Sequence, residues 1–124
     1  MPLDIKIQKD VPGVITVKLG GSLDTATAPQ LAEQLAPALA TSTKDVVFDL
    51  EELRFISSAG LRVFASTRKM LKERGGQVSF IHMQPQIQEV FEIMKSLPGV
   101  AVFENLTELD RYLAARQHAH KAGH

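Results

Sequence analysis

Hydrophobic and polar positions alternate at the start of the chain, and the spacing of the apolar positions changes further along. The alternation predicts two half-buried strands, and the turn signal Pro12-Gly13 between them predicts a hairpin. The apolar positions of the two segments are Leu3, Ile5 and Ile7, then Val14, Ile15, Val17 and Leu19.

Four later segments carry apolar residues at the spacing of a helix face. Pro37 does not suit a helix interior, so the first helix is expected to kink or end early. The second is expected to start near Ser57 or Ser58 and to stop at Gly75-Gly76, and the third opens at Pro85. The apolar sets are Ala28, Leu31, Leu35 and Leu39; Leu61, Phe64, Ala65 and Leu71; Ile87, Val90, Phe91 and Met94; and Leu106, Leu109 and Leu113.

Short apolar runs between these helices predict further strands. The nearly continuous run over residues 46–50 is typical of a strand covered on both faces, and residues 78–81 and 100–103 follow the next two helices. The order β-β-α-β-α-β-α-β-α indicates an α/β fold with a mostly parallel sheet, which the hairpin makes mixed. One domain is expected over residues 1–116, with a flexible tail over residues 117–124.

Composition narrows the classes of function. The 124 residues suit one domain, and 14 basic residues balance 14 acidic ones. A neutral chain has no overall attraction for nucleic acid or anionic lipid. Cysteine is absent, which excludes disulfides and cysteine-based zinc sites. The charged, alternating N-terminus does not resemble a signal peptide, and no apolar run reaches membrane-spanning length. A soluble, cytoplasmic protein without membrane insertion is expected.

The serine pair Ser57-Ser58 is the main candidate for chemistry, because a strand leads through it into a helix. One serine could simply cap the helix, and a phosphate on it would also meet free N–H groups and the positive end of the helix dipole. A nucleophilic serine is a rival interpretation. The nucleophile elbow needs glycine two positions before the serine, where Ile56 stands, and no acid partner is marked for His82.

Two other polar segments offer weaker alternatives. Gly20-Gly21 is not followed by the Gly-Lys-Ser/Thr of a phosphate loop, so it is interpreted as a turn, with nucleotide sensing near Asp24 as an alternative. The histidines of the tail are expected to bind metal only incidentally, since ordering a flexible tail costs entropy. They are His118, His120 and His124. No cofactor and no dedicated metal site are expected.

Two motifs resemble one known family. Residues 19–24 (LGGSLD), followed by Ala28 and Leu31, resemble its second-strand signature L-x-G-E-L-D-x-x-x-A-x-x-L. Residues 55–61 (FISSAGL) resemble its F-[MI]-D-S-[SAT]-G-L segment. The chain is thus similar to STAS domains, and most of all to anti-sigma factor antagonists, from about Ile5 to Leu113. The resemblance implies a mixed sheet of four to five strands with about four helices packed mainly on one face.

The resemblance also implies a function. Such a protein binds an anti-sigma factor, which is also an ATP-dependent serine kinase, and so releases a sigma factor; a serine phosphatase reverses the phosphorylation. The protein itself performs no catalysis. Ser58 matches the phosphorylated serine and Asp24 the aspartate near it. The expected partner-binding residues are Asp24, Ser57, Ser58, Gly60, Leu61 and Arg62.

Two positions depart from the family pattern. Ser57 stands where aspartate is usual, which makes it an alternative acceptor, and Arg62 stands where glycine is usual. An alternative role is that of a STAS subunit in a lipid-transport ATPase or in a sensory signalling assembly.

Overall fold

A computed structural model describes residues 2–96 and 106–122 of the chain. The predicted strand at residues 100–103 lies outside the described residues. The elements, in chain order, are β1 (Leu3–Val11), β2 (Val14–Leu23), α1 (Ala28–Ala38), β3 (Asp45–Ile56), α2 (Ser58–Glu73), β4 (Gln77–Ile81), α3 (Pro85–Ser96) and α4 (Leu106–Ala122).

The described strands form one sheet in the order β1-β2-β3-β4. β1 and β2 pair antiparallel as the predicted hairpin, whereas β2–β3 and β3–β4 are parallel. The mixed sheet is therefore confirmed, and the described part of it has four strands. Helical crossovers join the parallel strands, so β2, β3 and β4 run in the same direction. β4 ends beside Asp49, whereas β2 and β3 continue side by side to Leu23 and Ile56.

Burial alternates along the central strands, as in a sheet with one covered face. In β2, Val17 is fully buried and the neighbouring Lys18 is half-buried; in β3, Phe48 is fully buried and Val47 is half-buried. The expectation that the first half of β3 is covered on both faces is therefore wrong. Val47 is apolar although it lies on the less covered face of β3. The helices pack mainly on the opposite face, where Val46 and Phe48 are buried.

Four phenylalanines form an aromatic cluster, in which Phe48 and Phe64 are buried and Phe80 and Phe91 are half-buried. Phe48 of β3 lies between Phe64 of α2 and Phe80 of β4, with ring centroids 4.7 and 5.5 Å away. Phe91 of α3 completes the group at 5.0 Å from Phe80. The Phe48–Phe64 contact is tilted, the Phe48–Phe80 contact is stacked and the Phe80–Phe91 contact is edge-on. Tilted, stacked and edge-on contacts at these distances are favourable for aromatic pairs when stacked rings are offset. The cluster therefore joins two helices to the two last described strands.

The helix ends follow from proline and glycine. α1 ends one residue after Pro37, as predicted. At the end of α2, Gly75 has φ +76, and the N–H groups of Gly75 and Gly76 donate to the carbonyls of Lys72 and Leu71. These two bonds form a Schellman motif, whose left-handed residue is usually glycine. The chain then turns directly into β4.

α4 extends further than the sequence indicated. It continues to Ala122, and Gln117 is only 4% exposed, so the flexible tail expected from residue 117 is helical through residue 122. Leu113 is buried as predicted, whereas the side chains of Leu106 and Leu109 are outside the described set. Within the described residues, no helix has the length and apolar character that a membrane crossing requires.

Replacing Phe64 should test the aromatic cluster. We expect Phe64→Ala to lower the free energy of unfolding by about 3–5 kcal/mol, because it removes a buried ring and leaves a cavity. Leu61, on the same helix, is only half-buried, so Leu61→Ala should cost less. Urea titration followed by circular dichroism measures both, and an equal loss for the two variants would contradict this description of the core.

Candidate functional site

The serine pair lies where β3 passes into α2. Ser57 is the N-cap residue, with extended backbone angles (φ −108, ψ 178), but its side chain makes no capping hydrogen bond. Its Oγ is buried and has no hydrogen-bond partner among residues 2–96 and 106–122. Ser58 is the first helical residue and is also buried. The N-terminus of α2 is therefore not capped by the side chain of Ser57, contrary to the expectation that a serine caps it.

A carboxylate from α4 caps the N-terminus of α2 instead. Asp110 Oδ1 accepts the backbone N–H of Ser58 at 2.7 Å, and Asp110 Oδ2 accepts the Ser58 hydroxyl at 3.0 Å. A negative charge is favourable at a helix N-terminus, where N–H groups lack partners within the helix. Asp110 therefore caps α2 from 52 residues away in the sequence.

About two turns further along α4, Gln117 binds the end of β3. Its Oε1 accepts the N–H of Ile56 at 2.8 Å, and its Nε2 donates to the carbonyl of Ile56 at 2.7 Å. The same Nε2 also donates to the carbonyl of Leu113 at 3.1 Å. This buried amide satisfies both backbone groups of a residue that would otherwise lack partners at the end of the strand.

Gly60 allows the first turn of α2 to approach the sheet closely. A Cβ atom at this position would lie 2.6 Å from Leu23 Cγ and 3.0 Å from Ile56 Cγ1. Both neighbours are fully buried, so they have little room to move. The N–H of Ser57 also donates to the carbonyl of Leu23 at 2.9 Å. The glycine of the FISSAGL segment therefore has a packing role that fixes the serines beside the end of β2.

The remaining candidate residues surround this junction. Asp24 directly follows Leu23, and its Oδ1 accepts the N–H groups of Ala26 and Thr27, both at 3.0 Å. The structure thus brings the Asp24 segment and the serine pair together at one edge of the sheet. Leu61 is half-buried and Arg62 is exposed. Arg62 forms no ion pair with any described residue.

A second polar cluster, at the end of β4, was missed by the sequence analysis. His82 Nδ1 lies 3.1 Å from Asp49 Oδ1, and Glu51 offers a further carboxylate; the three ligand atoms lie within 4.8 Å of one another. Asp49 pairs with Ile81 across β3 and β4, so the parallel register could have suggested this acid partner. The hydroxyl of Ser58 donates to Asp110 rather than to this histidine.

Several opposing effects act on the Asp49 carboxyl. Burial would raise its pKa, but the N–H of Glu51 and the hydrogen bond from His82 favour the ionised form, as do the charges of His82 and Lys18. Together they hold the pKa of Asp49 below its ordinary value of 3.8. A carboxylate that accepts hydrogen bonds in its charged form titrates at lower pH.

Comparison with protein families identifies this architecture. The family model named STAS domain matches residues 4–109, which include the serine pair and most of the sheet. The chain belongs to the STAS family. In this STAS domain, Asp110, which caps the serine helix, lies one residue beyond the matched region.

Two of the curated relatives that this STAS domain resembles are named as anti-sigma factor antagonists. A Bordetella bronchiseptica protein provisionally named anti-sigma factor antagonist BtrV is 37% identical over 83 residues, which are 67% of this chain and 72% of the relative. The anti-sigma-B factor antagonist of Staphylococcus aureus is 35% identical over 77 residues, 62% of this chain and 71% of the relative.

The fold is also found in a solved antagonist. The unphosphorylated form of the anti-sigma factor antagonist SpoIIAA superposes with a TM-score of 0.63 at 18% identity, over 73% of this chain and 83% of that one. SpoIIAA from Bacillus in its phosphorylated form gives the same TM-score. At this level of identity, the likeness shows the fold alone.

The close contact at Gly60 gives a stability prediction. We expect Gly60→Ala to destabilise the STAS domain by about 1–3 kcal/mol, because overpacking outweighs the gain in helix propensity. Ser66→Ala is the matched control: it adds no bulk at an exposed position of the same helix and should change stability by less than about 0.5 kcal/mol. Urea titration measures both, and a more stable Gly60→Ala protein would contradict the close approach.

The lowered pKa of Asp49 gives a pH prediction. The folded protein binds this proton less readily than the unfolded chain, so Asp49 contributes stability above its ordinary pKa and loses it as the pH falls through the folded pKa. Stability should therefore fall less steeply below about pH 4 in Asp49→Asn than in the wild type. His82→Ala should give an intermediate slope. Urea titrations at a series of pH values measure this, and identical slopes would rule out the effect.

Proposed function

We propose that this STAS domain is an anti-sigma factor antagonist, and that the phosphorylation state of Ser58 controls whether it binds its partner. Unphosphorylated, the protein binds an anti-sigma factor that also has serine-kinase activity, and a sigma factor is released. The protein itself catalyses no reaction and acts in the cytoplasm. The two curated relatives, both named as anti-sigma factor antagonists, support this function.

One observation carries the proposal. Ser58 is the first residue of α2 and lies beside the end of β2. Its hydroxyl and its N–H both donate to the carboxylate of Asp110. This position already holds a negative charge in the unmodified protein, and a phosphate is favoured there for the same electrostatic reason. Ser57, whose hydroxyl is buried without a described partner, is the second candidate acceptor.

The modification is a phosphoryl transfer from ATP bound to the kinase. A bond forms between Ser58 Oγ and the γ-phosphorus, the bond from that phosphorus to the bridging oxygen breaks, ADP leaves, and a catalytic base of the kinase accepts the hydroxyl proton. A serine phosphatase of the same pathway restores the serine by hydrolysis, which releases inorganic phosphate. The STAS domain needs no cofactor of its own.

The candidate residues differ in solvent exposure, and their proposed roles differ accordingly. Arg62 is exposed, and Asp24 and Leu61 are half-exposed, so these side chains are proposed to contact the partner directly. Gly60 and Ser57 are buried and are proposed to act through the position they give to Ser58. Partner contact then requires the side chains around the β3–α2 junction rather than the sheet.

Phosphorylation is proposed to prevent binding without unfolding the domain. The phosphate adds about −1.5 to −2 charges at neutral pH. The helix N-terminus tolerates this charge in the free protein, whereas at an interface it must lose water, which costs several kcal/mol unless a cation matches it. Asp24 would add repulsion between like charges.

The affinity of the partner should follow the state of Ser58. We expect phosphorylation at Ser58 to weaken binding about a hundredfold, which corresponds to a loss of about 3 kcal/mol. Ser58→Ala should bind the partner and resist the kinase, and Ser58→Asp should bind poorly, with a partial defect because it carries less charge. Calorimetric titration with a purified anti-sigma kinase from the same genome measures the affinities.

Ser57→Ala is the matched control for the acceptor. This variant should still be phosphorylated by the kinase and should lose affinity after modification, with circular dichroism unchanged. Equal affinity of the modified and unmodified protein would refute the switch, and a phosphate found by mass spectrometry at Ser57 alone would move the acceptor by one residue.

A further inference from the structure

α4 covers the acceptor serine through one face. The three residues of that face, here called the α4 clamp, are Asp110, Leu113 and Gln117, which are spaced as neighbours on one side of a helix. Asp110 binds Ser58, Gln117 binds the backbone of Ile56, and Leu113 is fully buried between them. Ser58 is only 5% exposed, although it is the proposed acceptor.

The contact between Asp110 and Ser58 depends on the unmodified hydroxyl. Ser58 Oγ donates its proton to Asp110 Oδ2 at 3.0 Å, and an esterified oxygen has no proton to donate. The phosphate oxygens would stand beside the Asp110 carboxylate as like charges. Both groups would also compete for the same N–H of Ser58, which now donates to Asp110 at 2.7 Å.

We propose that α4 is an intramolecular switch element: Asp110 occupies the position that the phosphate takes on Ser58, so phosphorylation displaces Asp110 and loosens the α4 clamp from the β3–α2 junction. The inference rests on the proposed function only in taking Ser58 as the acceptor. In the unmodified protein the clamp restricts access to Ser58, so the kinase acts when α4 has moved away. In the phosphorylated protein the surface beneath α4 becomes accessible.

The loosening is local for a structural reason. The aromatic cluster joins the sheet to α2 and α3, and α4 contributes none of its four rings. The ion pair between Arg116 and Glu89 also continues to link α4 to α3. The rest of the sheet and the body of α2 therefore keep their structure when Asp110 is released, and the change is confined to α4, the end of β3 and the first turn of α2.

Amide hydrogen exchange on a protein carrying genetically encoded phosphoserine at position 58 tests the proposal. We expect the amides of residues 110–117 to exchange at least about tenfold faster than in the unmodified protein, because local opening becomes more frequent. The amides of β2 serve as the internal fold control and should not change. Equal exchange rates of the α4 amides in the two forms would overturn the proposal. This comparison does not depend on the folding of any substituted variant.

Asp110→Asn identifies the group that the phosphate displaces. The variant amide is neutral and can donate a hydrogen bond to a phosphate oxygen, so phosphoserine should accelerate exchange in α4 by less than about twofold in this background. Glu33→Gln is the matched control, since it removes one exposed carboxylate from α1, and the full acceleration should remain. An undiminished acceleration in a folded Asp110→Asn protein would show that Asp110 is not the displaced group.

The outcome can be separated from that of the proposed function, because the exchange measurement needs no partner. If phosphoserine loosens α4 but the affinity for the anti-sigma kinase is unchanged, the clamp is supported and the binding switch fails. If the affinity falls while exchange in α4 is unchanged, the binding switch stands and the clamp is overturned.

Discussion

The close approach of α2 to the end of β2 is the constraint on which the functional region depends. Without a side chain at Gly60, the first helical turn lies against Leu23 and Ile56 at a distance that any Cβ would obstruct. The hydrogen bond from Ser57 N–H to the Leu23 carbonyl fixes the same approach through the backbone. Together they determine where Ser58 begins the helix and which groups of α4 can reach it.

Much of this fold follows from periodicity and turn chemistry. Alternation predicted the hairpin, helical spacing predicted the four helices, and glycine predicted the end of α2 at Gly75, where φ is positive. These signals are local, since each depends on residues within a few positions of one another. Burial of β3 was predicted less well, because an apolar run does not say how many faces are covered, and Val47 is only half-buried.

The site was predictable only in part, for the same reason. The FISSAGL segment indicates a serine at a helix start, but the residues that bind it come from far along the chain. Asp110 and Gln117 are separated from their partners by 52 and 61 residues. Because α4 carries polar residues on most of its sides, the sequence does not distinguish these two from solvent-exposed polar residues. The identity of the true cap, Asp110 rather than Ser57, required the tertiary structure.

Ser57 replaces the aspartate that is usual in the family, and Asp110 supplies a carboxylate to the same helix N-terminus instead. The family usually has aspartate at this position, next to the serine proposed as the acceptor, whereas in this chain the carboxylate at the helix N-terminus comes from α4. A covalently adjacent aspartate cannot leave the site, but Asp110 is held by two hydrogen bonds and by the packing of its own helix. A helix cap contributes about 1 kcal/mol, and a phosphate, with its greater charge, interacts more strongly with the same N–H groups. In the proposed switch, the phosphate therefore takes over the N–H groups from Asp110, and its hydrolysis by a phosphatase lets Asp110 return. The charge on Ser58 is in this way coupled to the position of a whole helix.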